Sequence, residues 1–159
     1  MGHASQWPAS STMPPLGVLQ TAPSAARAYV ATTLAAWGMS DLAAVMGLIV
    51  SELVTNGVNA STGPDGSPLY IGGQMLVIQL RLFTDGVRLM AEVCDQAPGV
   101  PVRKTASHDD EHWRGLQLVD SLTGSQWGWT SATGGQGKCV WAVVDAGSIG
   151  YSGSHGEQE

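Results

Sequence analysis

Between Asp41 and Asp65 the chain carries a single charged side chain, Glu52. A stretch so apolar and so rich in helix formers predicts a helix that is buried along much of its length. At helical spacing one face collects the large apolar side chains, namely Leu42, Met46, Ile49 and Leu53. Glu52, Asn56 and Asn59 fall at i, i+4 and i+7 and share another face. This helix must therefore pack on a core while it presents one carboxylate and two amides elsewhere.

The polar stripe of this helix has two interpretations. Burying a carboxylate or an amide without a partner costs several kcal/mol, so these groups should be hydrogen-bonded, hydrated or in contact with a ligand. Glu52 and Asn56, one turn apart, suit a magnesium nucleotide, because an amide oxygen is a hard ligand for Mg²⁺ and a carboxylate can deprotonate a hydroxyl. The alternative is a helix whose polar face simply meets solvent.

Composition limits the domain organisation and the partners. With 159 residues, of which 43% are apolar, the chain predicts one domain, which we place at residues 15–145. Residues 1–14 and 146–159 are rich in Ser, Pro and Gly and are expected to be flexible segments. A net charge of -6 with seven Lys and Arg argues against nucleic acid as the main partner.

The same chain lacks the features of a membrane or secreted protein. We expect no apolar run close to the roughly 20 residues that span a bilayer, and no signal peptide, so the sequence predicts a soluble cytoplasmic protein. Two cysteines, Cys94 and Cys139, make neither a disulfide framework nor a zinc site, and buried thiols are the favoured interpretation. A homodimer is left open.

The periodicity along the chain predicts an α+β fold. Helices are expected at 23–37, 40–60 and 115–122, a loop at 61–73, and strands at 16–19, 75–82, 87–95 and 138–144. This order implies a two-layer sandwich in which a mixed, mostly antiparallel sheet is covered by helices on one face. The chain has no P-loop and no dinucleotide-binding glycine motif, so neither can hold a nucleotide here.

Alternation in the two central strands directs one carboxylate toward the core. Leu76, Ile78, Leu80 and Leu82 share the inward face of one strand, and Val87, Leu89, Ala91 and Val93 share that of the next. Asp95 has the same inward parity. An ionised carboxylate there must accept hydrogen bonds, for which the amino group of adenine is a natural donor. A turn-capping role for Asp95 is equally compatible with the local sequence.

The segment that contains Glu52 and Asn56, E-L-V-T-N-G-V-N, resembles the N-box of the histidine-kinase-like ATPases. The wording S-E-L-V-T-N is most similar to the small ATP-binding regulators related to the anti-sigma-factor serine kinases of actinobacteria. Residues 93–99 resemble the D-x-G-x-G box of that superfamily, with Ala97 in place of its first glycine and Gly99 as its second. Asp95 would then read the exocyclic amine of adenine.

Two further boxes follow in the same order. Residues 100–114 correspond to the ATP lid, and residues 113–119 resemble the G-R-G-L box, with Trp113 replacing its first glycine. In this box Arg114 pairs with a phosphate or lies on the surface. Gly115 and Leu116 begin a helix whose free amides make an anion site. In the final glycine-rich box, 133–141, Lys138 lies either near the nucleotide or on an edge strand, where lysine deters aggregation.

The resemblance implies a function. Such a protein binds Mg²⁺ and ATP, phosphorylates a serine on an antagonist protein and binds a sigma factor in competition. Glu52 would be the general base and Asn56 the Mg²⁺ ligand, while Asn59, Asp95, Gly99, Arg114, Gly115, Leu116 and Lys138 would contact the nucleotide. The alternative is a nucleotide-sensing module that regulates a protein partner with little or no catalysis, which Trp113 and Ala97 favour.

Overall fold

The computed structural model describes residues 6–98, 111–132 and 136–149, with side chains described for all of these except 111–114, 148 and 149. The strands are β1 (Ala9–Thr12), β2 (Leu16–Gly17), β3 (Tyr70–Ile71), β4 (Gln74–Met75), β5 (Val77–Thr84), β6 (Arg88–Asp95), β7 (Trp127–Ser131) and β8 (Lys138–Asp145). The helices are α1 (Ala22–Ala36), α2 (Ala43–Ala60, preceded by a 3₁₀ turn at Ser40–Leu42), α3 (Glu111–Thr123) and α4 (Ala146–Ile149).

The main sheet has the order β1-β5-β6-β8-β7, and β2 also pairs with β5. Every strand pairing in the described residues is antiparallel. Side chains of α1, α2 and α3 pack with the inward side chains of the sheet in one hydrophobic core. The predicted α+β architecture, a largely antiparallel sheet with helices on one face, is therefore confirmed.

The inward face of β5 and β6 is the floor of this core. Ile78, Leu80 and Leu82 are fully buried, as their alternation predicts, and so are Leu89 and Ala91. Each buried aliphatic side chain contributes about 1.5–3 kcal/mol through removal of apolar surface from water. Val87 is the exception to the predicted pattern. It is 58% exposed because it lies in the hairpin turn before β6 begins.

Helix α2 is the central helix of the core. Its apolar face is buried as predicted, through Leu42, Met46, Ile49 and Leu53. Contrary to our expectation, the segment Ser40–Ala60 is long and apolar enough to cross a membrane. Half of its most apolar window is buried inside the fold, however, and a core helix of a soluble protein meets the same criteria. The structure is thus compatible with a soluble protein.

The N-terminal segment departs from its predicted flexibility. Residues 9–12 form an edge strand along β5, with Ala9 opposite Thr84 and Thr12 opposite Arg81. Trp7 packs under this edge on the outer face of the sheet, against Phe83, Met90 and Val143. The sequence Ala-Ser-Ser-Thr has no hydrophobic pattern, so only pairing with a neighbouring strand reveals it as a strand.

Other elements also differ from the sequence pattern. Helix α3 begins at Glu111, four residues before the predicted start at Gly115. The segment predicted as loop contains the hairpin of β3 and β4, whose turn residues Gly72 and Gly73 both have positive φ. Strand β7 was not predicted at all. The expected C-terminal tail begins with the short helix α4, and residues 150–159 lie outside the described residues.

The prediction of two core thiols is wrong, because Cys94 and Cys139 form a disulfide. The two residues are direct partners in the pairing of β6 with β8, and their Cα atoms are 4.0 Å apart. They have outward parity, opposite to the face on which the helices pack. Direct cross-strand neighbours come close enough to be bridged, whereas two isolated cysteines in a sequence carry no such information.

Candidate functional site

The predicted site residues converge where β6 ends and β8 begins, beneath α2 and α3. A small cavity at this position is lined by Leu53, Asn56, Gly57, Val93, Asp95, Leu116, Lys138 and Val140. These residues come from two helices and two strands that are distant in sequence. The fold therefore gathers four of the predicted site residues around one space: Asn56, Asp95, Leu116 and Lys138.

Glu52 and Asn56 face the second turn of α3. A methyl group built on Gly115 would lie 2.6 Å from Glu52 Oε2 and 3.8 Å from Asn56 Oδ1. A larger residue at position 115 would therefore displace the Glu52 carboxylate, whereas glycine lets the carboxylate lie against the α3 backbone. Because α3 begins at Glu111, its free amides belong to residues 111–114 rather than to Gly115 and Leu116, which corrects the predicted position of the anion site.

Helix α2 also approaches the sheet closely at Gly57. A methyl group there would lie 3.3 Å from Ile78 Cδ1 and 3.8 Å from Asp95 Cβ. The absence of a side chain at Gly57 lets α2 lie directly over the end of β6. Asn56 is thereby held above Asp95 across the cavity.

Asp95 is buried and has partners on both oxygens. The Lys138 ammonium lies 2.8 Å from Asp95 Oδ2, and the Ala97 backbone N–H donates to Oδ1 at 3.0 Å. The side chains of Lys138 and Asp95 are only 7% and 4% exposed. Asp95 therefore caps the turn after β6, as one interpretation predicted. It also lines the cavity, while the contact with adenine stays a prediction.

Lys138 has a different position from the edge-strand role that the sequence favoured. Strand β8 lies inside the sheet between β6 and β7, and Lys138 pairs with Asp95 on one side and Ser131 on the other. An edge-guarding role is thus wrong. The side chain points into the core, where its charge is compensated by Asp95.

The turn before β8 fits tightly against Asp95. Gly137 has φ +89°, and a methyl group on it would lie 2.0 Å from the Asp95 carbonyl oxygen and 2.9 Å from Gln96 Cα. Sequence reasoning singled out the glycine-rich turn but not this residue. Its signal was available, since a glycine directly before an inward-facing strand residue marks a close backbone approach.

The cavity is nearly filled. The space open to water is about 20 Å³, enough for about one water molecule. An adenine ring does not fit unless side chains move. Asp95 and Lys138 are the charged residues among those that line it, and the rest of the described wall is apolar apart from Asn56 and the backbone.

Several predicted positions fall elsewhere. Asn59 is exposed, one turn beyond Asn56, and does not line the cavity. Gly99 and most of the predicted lid, 100–110, lie outside the described residues, as do the side chains of Trp113 and Arg114.

The sequence favours Trp127, Trp129 and Trp141 as core residues rather than as stacking partners of a ligand, and the structure gives the three different surroundings. Trp127 is partly buried and donates its indole N–H to Asp120 Oδ1 at 2.8 Å. Trp141 packs on the outer face of the sheet. Trp129 is 40% exposed, so its core assignment is wrong. None of the three lines the cavity among the described residues.

The arrangement has a definite chemical character. Asn56 and Glu52 offer oxygen ligands of the kind that Mg²⁺ prefers, next to the N-terminal half of a helix. Asp95 offers an acceptor at the other end of the cavity for a ligand that donates a hydrogen bond.

No protein-family model matches this chain, and no curated protein matches it.

Proposed function

We propose that this chain is an ATP-binding regulatory protein of the histidine-kinase-like ATPase type, and specifically a serine/threonine kinase of the anti-sigma-factor kind. One observation carries the proposal. Glu52 and Asn56 lie against the α3 backbone at Gly115, and Asn56 lines the same cavity as inward-facing Asp95. The residues that resemble the superfamily boxes are far apart in sequence, and these four lie around one site.

Each residue has a role in this proposal. Asn56 supplies an oxygen to Mg²⁺, and Glu52 acts as general base toward the hydroxyl that receives the phosphate. Asp95 accepts a hydrogen bond from the adenine amine, and Leu116 forms an apolar wall of the cavity. The substrate is a serine of an antagonist protein, the competing partner is a sigma factor, and the protein acts in the cytoplasm.

A second function is favoured by one specific observation. The Lys138 ammonium pairs with Asp95 at 2.8 Å inside the cavity that the adenine base would enter. A chain with its pocket closed in this way could regulate a protein partner without phosphate transfer. We therefore keep a catalytically inactive binding module as the second candidate.

Calorimetry with ATP, ADP and GTP in the presence of Mg²⁺ tests nucleotide binding. We expect heat with both adenine nucleotides and less with GTP, whose base carries a carbonyl where adenine has an amine. Asp95→Asn keeps an acceptor for Lys138, yet its amide can also donate, so it should lose the preference for adenine. Folded protein that gives no heat with millimolar ATP or ADP would remove the proposal.

Two substitutions in α2 separate catalysis from binding. Glu52→Gln should retain ATP affinity within a few-fold and lower phosphate transfer by about 10² or more, the usual scale for loss of a general base. Asn56→Ala should weaken the Mg²⁺ dependence of binding. Glu92→Gln, the same acid-to-amide change on the outer face of the sheet, is the control and should leave transfer unchanged. ATP binding without transfer to any antagonist protein would favour the binding module.

A further inference from the structure

We propose that the Lys138 side chain is an internal occupant of the adenine site. In the ligand-free chain this side chain closes the pocket, and it competes with the nucleotide for Asp95. The inference rests on the proposed ATP-binding function. It gives Lys138 a role other than the nucleotide contact that the resemblance implies for this residue.

The geometry puts the ammonium where a ligand donor belongs. Lys138 Nζ is 2.8 Å from Asp95 Oδ2, while Oδ1 already accepts the Ala97 N–H. Oδ2 is therefore the oxygen left to recognise an adenine amine, and Lys138 takes it. The lysine stem fills the cavity between Val140, Leu116 and Asn56, which leaves room for about one water molecule.

A buried ion pair contributes little net stability, because desolvation of two charges offsets much of their attraction. Replacement of such a pair by apolar residues is often neutral or stabilising. The pair nevertheless lies in a wall made largely of apolar residues, among them Leu53, Val93 and Val140. Two charges in this position thus point to a role in recognition.

The exit for Lys138 is also present. An open cleft of about 340 Å³ is lined by Gln96, the residue after Asp95, and by Gln136, two residues before Lys138. The side-chain carbonyl oxygens of these two glutamines are acceptors of the kind that a displaced ammonium needs. An incoming base amine replaces the ammonium at Oδ2, and the ammonium moves to this hydrated cleft.

The consequence for affinity is quantitative. If the open state is populated to about a tenth or less, the apparent affinity is lowered about tenfold or more. Substitution of Lys138 by an uncharged residue should recover that about tenfold or greater loss of apparent affinity. A ligand whose base brings a carbonyl oxygen toward Oδ2, as guanine does where adenine has its amine, should gain nothing, because it cannot replace the ammonium as a hydrogen-bond donor there.

The experiment measures ATP, adenosine and GTP binding by calorimetry to the full chain and to Lys138→Met and Lys138→Gln. We expect both variants to bind ATP and adenosine more tightly than the wild type, Lys138→Met by about tenfold or more, with no gain for GTP. Lys138→Gln keeps a neutral donor to Asp95 and provides a folded variant if Lys138→Met unfolds. Arg81→Met, at an ion pair on the opposite face of the sheet, is the control and should not change affinity.

Each outcome decides the proposal. Unchanged or weaker ATP and adenosine binding by both variants would overturn it and make Lys138 a nucleotide contact or a purely structural residue, while wild-type binding would leave the proposed function intact. If neither the wild type nor either folded variant binds an adenine compound, both the internal-occupant proposal and the ATP-binding proposal are wrong.

Discussion

Two cross-strand ion pairs share β6 but lie on opposite faces of the sheet. Arg81 of β5 pairs with Glu92 on the outer face, and Lys138 of β8 pairs with Asp95 on the inner face. In both pairs the partners are directly opposite in the strand register. The side chains of the outer pair are 43% and 11% exposed, whereas those of the inner pair are 7% and 4% exposed.

Access to water is thus the main difference between the two pairs. The Arg81 guanidinium reaches solvent and lies 5.9 Å from the centroid of the Phe83 ring, so its charge has other favourable contacts. The Lys138 ammonium is enclosed with Asp95 beneath α2. A cross-strand pair on the solvent side is an ordinary feature of a sheet, whereas the same pairing in the wall of a cavity holds two charges away from water.

The largest effect should come from the same substitution made in each pair. Lys138→Met leaves the buried Asp95 carboxylate without its counter-ion and should lower the free energy of unfolding by about 3–5 kcal/mol. Arg81→Met also removes the counter-ion of a poorly exposed carboxylate, but it removes a half-exposed guanidinium, so it should cost less than Lys138→Met. Urea unfolding at neutral pH measures both. Equal losses would show that the two pairs are energetically alike.

Removal of the disulfide tests how strongly the Lys138–Asp95 pair depends on the pairing of β6 with β8. Its cysteines are the register pair next to Asp95 and Lys138. Substitution of both cysteines by alanine should cost about 2–4 kcal/mol. Asp85→Asn, in the ion pair at the hairpin end of β6, should add to this loss, whereas Lys138→Met should be non-additive with it. A double-mutant cycle by urea unfolding measures the coupling, and additivity in both cases would disprove it.

Gly137 and Gly86 have similar φ values and lie at opposite ends of β6, so the same substitution at each position compares the two ends. Gly137→Ala places a methyl group 2.0 Å from the Asp95 carbonyl oxygen, whereas Gly86→Ala, at φ +92°, meets no heavy atom within 4 Å. Both incur backbone strain of about 1 kcal/mol, and the clash at Gly137 should add about 1–3 kcal/mol. Thermal unfolding distinguishes them. A Gly137→Ala variant as stable as Gly86→Ala would mean that the site end of β6 yields easily.

The smallest effect belongs to a third, exposed pair at the hairpin end of β6. The backbone N–H groups of Arg88 and Val87 donate to Asp85 and lower its pKa to about 2. Because the pKa is depressed in the folded state, this stabilisation is present above the unfolded value of about 3.9 and is lost as pH falls toward 2. Asp85→Asn should thus be slightly less stable at pH 7, and the difference should disappear near pH 2 in thermal unfolding. A difference that is independent of pH would contradict this assignment.

The parts of this molecule that follow local periodicity could be predicted from the sequence. The alternation in β5 correctly placed Ile78, Leu80 and Leu82 on the inward face that forms the floor of the core. The alternation in β6 placed Asp95 on that same face, where it lines the cavity. The spacing of Glu52 and Asn56 predicted their common orientation. Each of these results depends on residues a few positions apart, where helix and strand geometry fix the outcome.

Features that depend on the pairing of distant strands could not be predicted in the same way. The ion pair and the disulfide both require the register of β6 against β8, which no local pattern specifies. One signal existed, because Cys94-Asp95 and Lys138-Cys139 run in opposite order, as partners in an antiparallel pair must. The two charges and the two sulfurs thus indicate the same register, and together they would have placed Lys138 opposite Asp95.

The disulfide also makes residues 94–139 a closed covalent loop that contains α3 and β7. A protease cut at any single peptide bond within that loop leaves one molecule, because the halves stay joined through the two sulfurs. Electrophoresis without reductant would show an intact mass, and reductant would release two fragments. A nicked form of the protein can therefore keep Asn56, Asp95 and Lys138 in one covalently linked molecule.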